Sequence, residues 1–89
     1  MTRRWEADPS ALFARRLGKS AAELGNSDDE EKCPDIWQLD NGDIAVIGRD
    51  LTAVYASCLP TGVSIGPDER LVVIPGNMLS AAKGDIPVA

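Results

Sequence analysis

The side chains with reactive potential in this chain are two cysteines, Cys33 and Cys58, and 14 carboxylates; histidine is absent. Two thiols without an imidazole cannot complete a four-ligand zinc site, and no Ser-His-Asp or Cys-His pair can be assembled. Cys58 falls on an apolar stripe at helical spacing and is expected to pack as a small hydrophobe. Cys33 borders an acidic run, where negative neighbours disfavour its thiolate. Whether the two thiols ever pair stays open. Asp35, Asp40, Asp43 and Asp50 cluster in sequence, and Asp40 and Asp43 flank Asn41-Gly42. Carboxylates suit a hard cation such as calcium, but the D-N-G-D spacing is not that of an EF-hand loop. The commoner reading is two solvated turn aspartates that splay apart. Glycoside hydrolysis by paired carboxylates needs a cleft for which so small a domain has little room. Gly18-Lys19-Ser20 ends like a phosphate-binding loop, yet Phe13 stands where that motif needs its first glycine. The chain is therefore expected to be no enzyme and to carry no metal or cofactor.

The elements that position these groups centre on Ile36–Gly48. Asn41-Gly42 joins two runs of strand formers and reads as a two-residue type I′ hairpin turn. That register pairs Leu39 with Ile44, Trp37 with Val46 and Ile36 with Ile47, and sets Asp40 opposite Asp43. Trp37, Leu39, Ile44 and Val46 then share the core face, while Ile36, Gln38, Ala45 and Ile47 form a half-apolar second face.

Upstream, Asp8-Pro9 predicts a helix start, and Phe13, Leu17, Ala21 and Leu24 recur at helical spacing. Gly18 weakens that helix, Ser20 and Glu23 fit a capping box that restarts it, and Gly25 closes it. The acidic stretch 25–32 has nothing to bury and reads as a linker. Downstream, Asp50 caps a helix whose Leu51, Val54, Tyr55, Cys58 and Leu59 make a buried stripe. Arg70–Ile74 reads as a covered third strand, parallel to the second, and Asn77–Lys83 as a last helix with Met78, Leu79 and Ala82 inward. The fold class is α+β: an N-terminal helix, then a ββαβα unit with a small three-stranded mixed sheet and helices packed on it. The segment 1–32 is helical arm and linker, and 33–89 the compact domain.

At 89 residues the chain buries roughly 60–65% of its unfolded surface, a modest core. With only Trp5, Phe13, Trp37 and Tyr55 as aromatics, that core is aliphatic. The net charge of −5 is concentrated in residues 20–43, which disfavours nucleic acid as a partner. No run approaches the ~20 apolar residues of a membrane span, and no export signal is evident. A cytoplasmic setting is expected.

The blocks CPDIWQLDNGDIAVIGRDLT (33–52), PDERLVVIP (67–75) and LSAAKGDIP (79–87) resemble small uncharacterised proteins of actinobacteria. That resemblance covers about two thirds of the chain and implies a bacterial setting, but no activity. The residues themselves favour a non-enzymatic protein-interaction or regulatory module that binds a protein partner or itself, with no membrane and no nucleic acid involved. Trp5, Ile36, Gln38 and Ile47 are the candidate partner-binding residues. The alternatives are a small-molecule- or cation-binding regulator using the Asp40/Asp43 turn, and an accessory subunit of an enzyme.

Overall fold

A computed structural model describes residues 5–28 and 34–86. Cys33, the second half of the acidic linker (29–32) and the arginines at 3 and 4 lie outside the described residues. The class is α+β, with a three-stranded antiparallel sheet, a separate two-stranded one and few helices. The sheet takes the order β1 (Phe13–Arg16), β2 (Asp35–Leu39), β3 (Ile44–Ile47).

No N-terminal helix forms among the described residues; the stretch expected to be one supplies β1. Phe13 pairs with Leu39, Arg15 with Gln38 and Arg16 with Trp37, with a bulge between Phe13 and Arg15. Pairing with β2 outweighs a helix propensity that Gly18, at φ +77°, already interrupts. The local cap signals are nonetheless used on single turns. Asp8 accepts from the N–H and hydroxyl of Ser10 at 2.9 and 2.6 Å, closing a turn rather than opening a helix. Ser20 and Glu23 form the reciprocal capping box, at 3.1 and 3.2 Å. That turn ends where Gly25, at φ +76°, donates to Ala22 and Asn26 donates to Ala21. β1 belongs to the main sheet, and Leu17 lies in the core beside Ile36, Met78 and Ala82.

The hairpin forms, one residue out of the expected register. Ile36 pairs with Val46, Trp37 with Ala45 and Gln38 with Ile44. Leu39 N–H donates to Asp43 C=O at 2.8 Å and Gly42 N–H to Leu39 C=O at 3.0 Å, so the loop is Asp40-Asn41-Gly42. Gly42 alone in it has positive φ, whereas a type I′ turn would require it of Asn41 as well. The three-residue loop avoids setting Asp40 against Asp43, and it frees Asp40 to extend the β1 ladder. Asp40 N–H donates to Leu12 C=O at 2.8 Å, and Leu12 N–H donates to the Asp40 carboxylate at 3.1 Å. A one-residue slip exchanges the faces of one strand relative to the other. Ile36 and Gln38 therefore share a face with Ile44 and Val46, and Trp37 and Leu39 share one with Ala45 and Ile47.

β4 (Arg49–Asp50) follows β3 and pairs antiparallel with β5 (Val72–Val73) in the second sheet. The expected third strand is thus shorter, exposed and not parallel to β3. Between them α1 (Thr52–Tyr55) makes one turn, with the Asp50 carboxylate accepting from Thr52 N–H at 3.0 Å. It buries nothing: Val54, Tyr55 and Cys58 are exposed, because the sheet face such a stripe needs is taken by α2 (Gly76–Ala82). Met78 and Ala82, one turn apart on α2, enter the core, while Leu79 faces out. A 3₁₀ turn, Lys83–Asp85, follows. Among the described residues the buried apolar side chains are Leu17, Ala21, Ile36, Met78 and Ala82.

Candidate partner-binding surface

Among the described residues β3 is an edge strand, with β2 on one side and no strand on the other. Antiparallel pairing alternates the direction of backbone polar groups along a strand. The Leu39–Asp43 bond fixes the phase: residues 43, 45 and 47 bond to β2, and Ile44 and Val46 turn their N–H and C=O groups outward. Natural edges are usually guarded by lysine, proline or a bulge. Ile44–Ile47 carries none of these.

The side chains of the same two residues point into a groove of about 260 Å³ lined by apolar residues alone. Leu17 and Ile36 form its floor, Ile44 and Val46 one wall, and Leu79, Ala82 and Ile86 the other. Ile44 and Val46, expected in the core, are 47% and 42% exposed. Covering what remains exposed of either side chain is worth roughly 0.6–1.4 kcal/mol, so this wall favours any apolar occupant that reaches it.

The four residues anticipated as partner-binding are scattered by the register. Ile36 is 4% exposed and forms core, because the slip turns it onto the α2 face. Gln38, half-buried, accepts from Arg15 Nε at 2.9 Å. Ile47 is exposed, but on the opposite face from Ile36. Trp5 is 72% exposed and its indole N–H donates to both Asp43 carboxylate oxygens at 3.3 Å. Trp5 thus sits at the turn end of β3, whereas Ile36 lies beneath the groove. Ile44, Val46, Leu79 and Ile86 were missed, because a two-residue loop makes the first two core. The signal that could have exposed them is the like-charge pair Asp40/Asp43, which disfavours that loop.

The acidic turn is occupied by the protein's own donors. Asp40 serves Leu12, and Asp43 accepts from Trp5 and from Asn41 Nδ2 at 3.3 Å. Among the described residues no group of three or more acidic, cysteine or histidine side chains could hold a metal ion. On the other face of the sheet, Phe13 packs edge-on against Trp37 at 5.6 Å, and the Arg16 guanidinium lies 4.9 Å from the centre of the Trp37 rings. Arg16 also binds Asp35 through two hydrogen bonds, at 2.9 and 3.0 Å. Burial pushes the Asp35 carboxyl up. Hydrogen bonds from Arg16 and Trp37, the Arg16 charge and the Ile36 N–H outweigh it and hold the group below the usual carboxylate range. This cluster ties β1 to β2. Two larger hollows, of about 570 and 760 Å³, border Glu69 and Arg70. Both side chains there are engaged locally, Glu69 by Gly66 N–H at 2.7 Å and Arg70 by its bond to Glu69 C=O at 2.7 Å.

Among the described residues no helix is long and apolar enough to cross a membrane. Comparison with protein-family models, curated proteins and solved structures yields no match to this chain.

Proposed function

We propose that this is a small non-enzymatic interaction module that works by accepting an apolar, strand-forming partner along β3. The observation that carries the reading is the coincidence of an unguarded strand edge and an apolar groove at the same two residues, Ile44 and Val46. Strand addition draws affinity from main-chain hydrogen bonds and specificity from pockets for alternate side chains, and β3 offers both. Trp5, at the turn end of the strand, is positioned to add an aromatic anchor. The resemblance to small actinobacterial proteins supports a bacterial cytoplasmic setting for that role.

The test is substitution of exposed residues. Ile44→Asp and Ile47→Asp leave the core side chains in place, so circular dichroism should stay native. Ile44→Asp should abolish capture of a partner or self-association, with Ile47→Asp weaker because it lies on the face away from the groove. If Ile44→Asp leaves both partner capture and oligomeric state unchanged, the reading fails. Ile36→Asp probes the core instead, since Ile36 is buried.

A further inference from the structure

We infer that the occupant of the β3 edge is β3 of a second copy of this chain, paired antiparallel about a two-fold axis at Ala45. The inference rests on the interaction-module reading and names its partner. In this register Ile44 of each copy faces Val46 of the other, and both turn their free N–H and C=O groups toward the interface. Four backbone hydrogen bonds form, and the two three-stranded sheets become one of six strands. A two-fold contact must be self-complementary, and this one is. Ile44 and Val46 cross on the groove face, joining the two apolar grooves into one lane. On the other face Ala45 meets Ala45, with no bulk to hold the strands apart.

Charge fits the same register. Asp43 comes to lie opposite Ile47, and Arg49 opposite Asn41, so no like charges face each other between residues 41 and 49; Asp40 and Asp50 meet only beyond the strand, where Asp40 is turned into the hairpin loop. Asp43 and Arg49 share a face by alternation and become diagonal neighbours across the axis, within the reach of an arginine side chain.

Sedimentation equilibrium of the full chain from micromolar to millimolar concentration should show a reversible dimer. Val46→Pro removes an outward N–H without touching the β2 ladder, and two such losses per dimer should weaken association about 30-fold. Asp43→Arg should weaken it as well, and adding Arg49→Asp on the same chain should restore it. Should Val46→Pro fail to fold, the wild-type chain still decides. The Ile44 and Val46 amides should gain hydrogen-exchange protection as concentration rises, while Ala45 is protected throughout. A chain that stays monomeric at millimolar concentration, or a dimer whose Ile44 and Val46 amides remain unprotected, overturns self-pairing. If that monomer still loses a partner protein on Ile44→Asp, the module reading stands and the occupant is another protein's strand. If it loses nothing, both fall.

Discussion

Gly18 shows how a single residue can be fixed by its surroundings rather than by its motif. A Cβ added there would sit 2.8 Å from the Ala82 backbone nitrogen and 2.9 Å from the Ala81 carbonyl carbon, and φ is +77° besides. Gly42 shares the positive φ, at +91°, but a Cβ there meets nothing within 4 Å. Gly18→Ala should therefore lower stability by about 2–4 kcal/mol, through strain and displacement of α2, against about 1 kcal/mol for Gly42→Ala. Urea unfolding of the two variants checks the order. Equal losses would mean that α2 does not rest on Gly18. The resemblance of Gly18-Lys19-Ser20 to a phosphate loop is thus replaced by a packing requirement and a cap.

At the scale of elements, local chemistry was legible and pairing was not. The box at Ser20 and Glu23, the stop at Gly25, the hairpin at Asn41-Gly42 and the inward Met78 and Ala82 all follow from short-range signals that the structure uses. What failed depends on long-range partners. Phe13–Arg16 has helical spacing on paper, yet it becomes a strand because β2 offers a ladder. One unrecognised loop residue, Asp40, then inverted the face of β2 relative to β3, concealing the groove and misplacing Ile36. Deleting Asp40 leaves Asn41-Gly42 as a two-residue loop between the same Leu39 and Asp43. The β2–β3 register should persist, while the β1 ladder loses its Leu12 contacts, worth about 1–2 kcal/mol. Cross-strand proton contacts in an NMR spectrum would show Ile36 still beside Val46. A move of Ile36 to Ile47 would show that the register is set elsewhere.

For the whole molecule, the carboxylates make acid the natural denaturant. Asp35 is held below the usual range despite its burial, and hydrogen bonds from Ser10, Ser20 and Thr52 lower Asp8, Glu23 and Asp50 in the same direction. Each folded pKa lies below its unfolded value of about 4. Their stabilisation is thus complete above that pH and is lost as pH falls through the folded values. Stability should be nearly flat from neutrality to about pH 5 and should drop below pH 4. Asp35→Asn should remove about 1–3 kcal/mol at neutral pH and leave a shallower acid limb in thermal melts. An acid limb unchanged by the substitution would assign that sensitivity to other groups. A different consequence follows from Asp85, whose carboxylate takes the Gly18 N–H at 2.7 Å and whose carbonyl takes Arg15 Nη2 at 2.6 Å. These bonds join positions 67 and 70 residues apart. The β2–β3 hairpin can close in ~1–10 μs, whereas this clasp must wait until nearly the whole chain has been gathered in. It is placed to form late and open early. Contacts that form after the folding barrier act mainly on the unfolding rate, so strengthening the hold of the turn after α2 on the chain's beginning should lengthen the life of the native state without hastening folding.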